Sequence, residues 1–287
     1  MTGAAFDLIR PERRTTSVVF ASPHSGRNYP ADFLNRAVLN EIEIRSSEDA
    51  FVDELFGNAP QTGAPLIAAR APRAFVDLNR SPEELDPALI DGVRRVPHNP
   101  RIASGLGVIP RVVSNGRAIY CGKLDLGEVH RRINGYWRPY HDALQTLIDE
   151  SHAEFGEAIL VDCHSMPHEA LDSVAPFGGR RPDVVLGDRF GAAASNSVIG
   201  RIESAFTQRG LRVARNTPFA GAYIAQHYGR PSRRQHAVQV EIDRSLYMDE
   251  QKIRKSSDFD AFRLLLSEVI EEVSAIGRPA VTKIAAE

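Results

Sequence analysis

Two histidines stand where short apolar runs give way to turn formers: Ala21-Ser22-Pro23-His24-Ser25-Gly26 and Leu160-Val161-Asp162-Cys163-His164-Ser165-Met166-Pro167. In open α/β sheets the carboxyl edge of the strands is where ligands bind. One such histidine reads equally well as a satisfied loop residue. Two in the same setting, each followed by serine, point to a pair of ligands. Two imidazoles and one carboxylate commonly hold catalytic Zn²⁺ with a fourth position left for water. Ser46-Ser47-Glu48-Asp49-Ala50-Phe51-Val52-Asp53-Glu54-Leu55 offers carboxylates at the start of an expected helix. Acidic residues there also serve simply to complement the helix dipole. Spacing does not choose between Glu48, Asp49 and Asp53.

A fourth segment, His236-Ala237-Val238-Gln239-Val240-Glu241-Ile242-Asp243-Arg244, alternates with period two. As a strand it puts Val238, Val240 and Ile242 on one face and Ala237, Gln239 and Glu241 on the other. A buried carboxylate needs a partner. Arg244 could supply one, and so could metal-bound water, whose proton Glu241 would then accept. In Phe75-Val76-Asp77-Leu78-Asn79-Arg80-Ser81-Pro82, an apolar run enters a turn carrying Asn79 and Arg80. The planar guanidinium suits a substrate carboxylate and the amide adds a donor, although a structural arginine at a loop entrance reads as well.

Other arrangements fail simple tests. Cys163 and His164 are adjacent, so in a continuing strand they face opposite ways and cannot form a nucleophile–base pair. Gly105-Leu106-Gly107 runs into Val108-Ile109-Pro110 rather than a strand-to-helix phosphate loop. Arg230, Arg233 and Arg234 lack interleaved aromatics and read as a solvated loop or a lure for anionic substrates. His98, His130, His141, His152, His168 and His227 default to surface or structural roles.

The elements that must position these groups follow from periodicity. Short β-branched runs at Ser17–Ser22, Leu66–Ala69, Phe75–Asp77, Ala158–Asp162, Val184–Leu186 and Ala237–Ile242 read as strands of a mixed sheet. Val129, Ile133, Trp137, Tyr140, Leu144 and Ile148 mark one amphipathic helix from about Leu126 to Glu154, with Pro139 as a point of kinking. A last helix has Ser257 as its expected N-cap, a stripe from Phe259 to Ile276, and Gly277 and Pro279 as stop signals. The stretch Arg80–Arg117 has no clear period and reads as a long functional loop. Strands alternating with helices predict an α/β protein, a three-layer α/β/α sandwich.

The 287 residues, 43% hydrophobic and 25% charged, exclude a disordered or collagen-like chain. With no linker or repeat, one domain spanning 1–287 is expected. Thirty-five Lys and Arg against 37 Asp and Glu leave a net charge of −2, so no global field draws the chain to nucleic acid or an anionic membrane. Cys121 and Cys163 make no C-x-x-C pair, so a metal must be held by nitrogen and oxygen. There is neither a signal-peptide core nor a run of the ~20 apolar residues of a membrane span, and a cytoplasmic location is expected.

Taken together and in order, the segments resemble the N-formylglutamate amidohydrolase family. The carrying residues are Pro23-His24-Ser25-Gly26, Asp49 with Val52-Asp53, Asp77-Leu78-Asn79-Arg80, Gly105-Leu106-Gly107-Val108-Ile109-Pro110, Arg138-Pro139-Tyr140-His141, Asp162-Cys163-His164-Ser165-Met166-Pro167, Asn216-Thr217-Pro218-Phe219 with Tyr223-Ile224, and Gln239-Val240-Glu241 with Leu246-Tyr247-Met248-Asp249. They cover about residues 15 to 250. The resemblance implies a zinc-exopeptidase-like fold related to the zinc carboxypeptidases. It also implies His24, Asp49 and His164 as ligands of one Zn²⁺ (Mn²⁺ and Co²⁺ being alternatives), Glu241 as the residue working on metal-bound water, and Asn79 and Arg80 as substrate anchors. The implied reaction is hydrolysis of an acidic N-acyl amino acid, N-formyl-L-glutamate first, in amino-acid catabolism such as histidine degradation. The rivals are a deacylase or carboxypeptidase-like activity and a non-catalytic binder of an acidic ligand. A substrate with two carboxylates calls for a second cation, with Arg132, Arg215 and Arg244 as candidates. In the branch of the family tied to histidine breakdown a Trp-His pair follows the Asp49 position, where this chain has Ala50-Phe51, and the family's glycine pair before Tyr-Ile is here Gly221-Ala222.

Overall fold

The computed structural model describes residues 4–94, 99–113, 116–172 and 181–279. Seven strands form a mixed sheet: β1 (Phe6–Ile9), β2 (Val18–Ser22), β3 (Leu66–Ala69), β4 (Ala158–Met166), β5 (Val184–Gly187), β6 (Val213–Arg215) and β7 (Gln235–Asp243), in the order β1-β3-β2-β4-β7-β5-β6. β3, β2, β4 and β7 run parallel, so their carboxyl ends share one edge. β1 pairs antiparallel with β3, and β5 antiparallel with β7.

Central parallel strands are covered on both faces, which is why β2 and the first half of β4 are almost wholly apolar and every position of both is buried. On one face Val18, Phe20, Ile159, Val161, Cys163, Val238, Val240 and Ile242 pack under the helices Asn196–Thr207 and Phe259–Ile276. On the other, Val19, Ala21, Leu160 and Ala237 pack under the long helical run from Leu126 and the helix Tyr223–Tyr228. The expected α/β/α layering is therefore present. No helix among the described residues is long and apolar enough to cross a membrane.

Several local expectations are corrected. Phe75–Asp77 is not a strand, because the Phe75 and Val76 amides bond back to the Pro72 carbonyl in a tight turn. The edge beside β3 belongs instead to β1, whose Phe-Asp-Leu-Ile run alternates half-buried and exposed positions and so lacks the apolar run of a central strand. The helix over Leu126–Phe155 absorbs Pro139 through a π-helical segment at Ile133–Trp137. Proline cannot donate and crowds the carbonyl four residues back, and a widened turn relieves both demands. The last helix is flanked at its start by Asp258, not Ser257, and Asp258 makes no side-chain cap. The stretch 80–117 is packed rather than loose where described: Leu89, Ile90, Ile102, Val108, Ile109 and Val113 are buried. His98 lies outside the described residues.

Candidate active site

The parallel edge gathers the residues singled out from sequence. His24 lies two residues past β2, Asp162 and His164 occupy the carboxyl half of β4, and Gln239 and Glu241 the same half of β7. Register places His164 beside Glu241 and Asp162 beside Gln239. The loop after β3 brings Asp77, Asn79 and Arg80. Gly26 is needed where the His24 loop passes that segment, since a Cβ there would stand 2.1 Å from the Ala71 carbonyl oxygen. The Asp49 amide donates to the His24 carbonyl, 3.0 Å, tying the two loops together.

His24, Asp49 and His164 each present one ligand atom, all within 4.8 Å of one another, and all three residues are buried. The geometry selects Asp49 from the three carboxylates considered. Both oxygens of Glu48 accept from Arg45, at 2.9 and 3.1 Å, and Tyr29 donates to one of them. Asp53 pairs outward with Arg27 at 3.0 Å.

Both imidazoles are oriented by further carboxylates. Nε2 of His24 donates to Asp77 Oδ1 at 2.7 Å, since a carboxylate only accepts. That leaves Nδ1 with its lone pair, buried, lacking a hydrogen-bond partner and 3.5 Å from Asp49 Oδ2. His164 Nδ1 is 2.8 Å from the same oxygen, and its Nε2 is 3.0 Å from Asp162 Oδ1. Carboxylate–histidine pairs of this kind orient metal-binding imidazoles. Burial opposes a charge on His164, yet Asp162 and Asp49 hold its pKa well above the usual histidine range. Burial would raise Asp49, but the hydrogen bond from His164 and the neighbouring His24 imidazole hold it well below the carboxylate range. An orphaned buried imidazole nitrogen converging with a carboxylate on a point that favours positive charge fits a divalent cation of the zinc type.

Glu241 is not paired with Arg244. It accepts from Gln239 Nε2 at 2.7 Å, and burial pushes its carboxyl up to about 7. Arg244 instead donates to Asp49 Oδ1 at 3.0 Å and to Ser165 Oγ at 3.2 Å. The Asn79 amide also faces inward: its nitrogen contacts Asp162 and His164, at 3.2 and 3.0 Å, and its oxygen accepts from the Ile224 amide at 2.7 Å. Arg80 donates through Nε to the Leu106 carbonyl and through Nη1 to that of Asn79. The Gly105-Leu106-Gly107 turn thus seats Arg80, and Gly107 allows it because a Cβ would meet the Glu84 carbonyl oxygen at 2.4 Å.

These groups line a cavity of about 360 Å³ whose walls include Arg73, Arg80, Arg101, Arg244, Leu106 and Phe219. Of the expected second cations only Arg244 is there. Arg132 is buried elsewhere, donating to the Phe75 carbonyl and Tyr120 and packing on the Phe75 ring, while Arg215 pairs with Glu203. Arg234, directly before β7, and the neighbouring Arg230 and Arg233 lie at the opposite edge of the sheet, so that cluster is solvated rather than a lure. Sequence reasoning assigned no role to Arg73, Arg101, Asp77 or Asp162. Asp77 and Asp162 were visible only as neighbours of the marked residues; Arg73 and Arg101 stand in segments without a pattern. Cys163 faces the opposite core, where burial raises its thiol well above the usual range. His141 is structural, with Nε2 donating to the Leu78 carbonyl at 2.8 Å and Nδ1 facing the Tyr228 hydroxyl at 2.9 Å.

A family model described as N-formylglutamate amidohydrolase matches residues 16–248. The chain belongs to the N-formylglutamate amidohydrolase family. An N-formylglutamate deformylase of Pseudomonas aeruginosa is 30% identical over 282 residues, covering 95% of this chain and 98% of its own. One from Pseudomonas putida is 30% identical over 240 residues, 81% of this chain and 82% of that protein. Among solved structures, N-formylglutamate amidohydrolase from Ralstonia eutropha superposes with a TM-score of 0.89 at 35% identity, over 96% of this chain and 99% of its own. A protein from Agrobacterium tumefaciens shares the fold at a TM-score of 0.63 and 16% identity, over 96% and 97% of the two chains. The amidohydrolase family expected from the ordered motifs is the one that matches.

Proposed function

We propose that this chain is a metal-dependent amidohydrolase that hydrolyses N-formyl-L-glutamate to L-glutamate and formate. The observation that carries the reading is the convergence of His24 Nδ1, His164 Nδ1 and Asp49 on one buried point with Glu241 beside His164 across the β4–β7 pair. His24, His164 and Asp49 would hold the ion, with Zn²⁺ favoured by the nitrogen and oxygen donors. Such an ion, when bound, polarises the formyl carbonyl and lowers the pKa of water from 15.7 to about 7.

The rest of the chemistry falls to the chain's own side chains. Glu241, with its carboxyl raised to about 7 by burial, takes a proton from the attacking water and returns it to the departing glutamate nitrogen. Gln239 holds one Glu241 oxygen through its amide, which leaves the other for that transfer. Asp77 and Asp162 keep the two imidazoles aimed, and Arg244 holds Asp49 from behind. Arg80 anchors a substrate carboxylate so that the formyl carbon rests near the ligand set. Asn79 serves that anchor by accepting from Arg80 through its backbone carbonyl while its side-chain amide donates to Asp162, the carboxylate behind His164. Positioning of this sort lowers a barrier by several kcal/mol. The residues of the site run from His24 to Glu241, which supports a single domain assembling it. In this reading the enzyme is cytoplasmic and serves amino-acid catabolism, histidine degradation included.

The test is metal content of the purified protein together with formate release from N-formyl-L-glutamate and from N-acetyl-L-glutamate as acetate. About one divalent ion per chain, formate release abolished by a chelator and restored by Zn²⁺, and much slower deacetylation are expected. Chelator-insensitive turnover would overturn the metal assignment, and equal turnover of both substrates would make the chain a general deacylase.

A further inference from the structure

Four arginines line the cavity, and their surroundings differ. Arg244 is bound to Asp49. Arg73 donates to Asp77 Oδ2 at 3.0 Å, and its charge is further balanced by Asp49 and Glu241. Arg80 has two of its donors on backbone carbonyls, and Arg101 and Arg73 both repel it. Arg101 is the exception, since its guanidinium makes no hydrogen bond or ion pair among the described residues, although it lines the same cavity.

Its place is nevertheless well built. The Asn99 side chain caps the helical turn Pro100–Ala103 by accepting from the Arg101 amide at 2.9 Å, and Ile102 is buried beneath it. The Leu106 amide donates to the Arg101 carbonyl at 2.9 Å, while the Leu106 carbonyl accepts from Arg80 Nε at 3.1 Å. Arg111 ties the turn from behind, reaching the Ala103 carbonyl and Asp86. One residue thus links the backbone of Arg101 to the side chain of Arg80, holding two like charges at one cavity.

We propose that Arg101 binds a second carboxylate of the ligand, making it the residue that selects a dicarboxylic amino acid over a neutral one. This rests on the amidohydrolase reading above. Arg80 and Arg101 are mutually repelling cations with free donors, and an anion entering between them lowers that repulsion while forming charge-assisted hydrogen bonds. With one carboxylate on Arg80, the glutamate side chain carries the other to Arg101. A ligand ending in a neutral amide leaves the Arg80–Arg101 repulsion in place. Its exposed position on a short helical turn lets the arginine be changed without disturbing the ligand set.

The experiment compares binding of L-glutamate and L-glutamine, measured by calorimetry on the metal-loaded protein, for wild type, Arg101→Gln and Arg101→Lys. Formate release from N-formyl-L-glutamate and N-formyl-L-glutamine is followed in parallel. Wild type should prefer glutamate by about 10- to 100-fold. Arg101→Gln should bring that preference close to one by weakening glutamate alone, with KM for the formylglutamate raised and kcat little changed. Arg101→Lys should recover part of the preference. An unchanged preference in Arg101→Gln would overturn the proposal. If the preference collapses as expected but wild type releases no formate, the deformylase reading fails while Arg101's role stands.

Discussion

Strands β4 and β7 carry two opposite kinds of chemistry on one backbone. Cys163, Val240 and Ile242 face a dry core under the helices Asn196–Thr207 and Phe259–Ile276. One residue away, His164 and Glu241 face the cavity, with Asp162 and Gln239 before them. All seven side chains are buried, so depth does not separate the two faces. What separates them is whether each polar atom finds a partner. On the cavity side Asn79 donates to Asp162, Gln239 to Glu241 and Arg244 to Asp49, and the open atoms are His24 Nδ1 and Asp162 Oδ1. A buried cluster that pairs most of its polar atoms and leaves an imidazole nitrogen open is what a ligand site requires, because unmatched burial is otherwise costly.

The contrast can be broken from either side. Glu241→Gln keeps shape and burial and removes only the proton carrier; kcat should fall about 10²- to 10⁴-fold, with the thermal midpoint essentially unchanged. Near-normal turnover with metal bound would remove Glu241 from the chemistry. On the opposite face, Ile242→Ala leaves a hole in the apolar core and should cost about 2–5 kcal/mol in denaturant unfolding, while the folded fraction keeps its kcat. Equal losses of activity and stability in both variants would mean that the two faces are not independent.

A third histidine sharpens the comparison. His141 is as buried as the proposed ligands, but both its ring nitrogens have protein partners, and burial lowers its pKa to about 4. Its folded value lies below the unfolded value of about 6.5. The unfolded chain therefore binds the proton first, and stability present above pH ~6.5 is lost as the pH falls toward 4. The loss attributable to this group should approach ~3 kcal/mol. Unfolding titrations at several pH values should show that slope in the wild type and a shallower one in His141→Asn. The smallest effect is expected at Asp77→Asn, which keeps an acceptor for His24 Nε2 but removes its charge. Zinc affinity by competition titration should fall about 10- to 100-fold, and an unchanged affinity would make Asp77 a purely structural partner.

Much of the site was legible before any fold was known. A histidine at the end of an apolar run is visible as a local pattern, and period two in Ala237–Ile242 correctly divides core from cavity. The carboxylate that completes the candidate ligand set was not legible from spacing. Glu48, Asp49 and Asp53 are equivalent as a string, and they separate only because Arg45 and Tyr29 engage the first while Arg27 engages the last. Phe75–Asp77 misled for a related reason, since its apolar content serves packing against Phe33, Tyr136 and Arg132 rather than a ladder.

By itself, then, the amino-acid sequence determined the layered α/β class, the strands that carry the site and the residue types available there, because each is written in neighbours a few positions apart. Tertiary structure alone decided which carboxylate joins the histidines, that Arg244 supports Asp49 rather than Glu241, and that Arg80 and Arg101 share a cavity while Arg132 and Arg215 do not. Those outcomes depend on groups up to nearly two hundred residues apart competing for the same hydrogen bonds, a competition that no local period records.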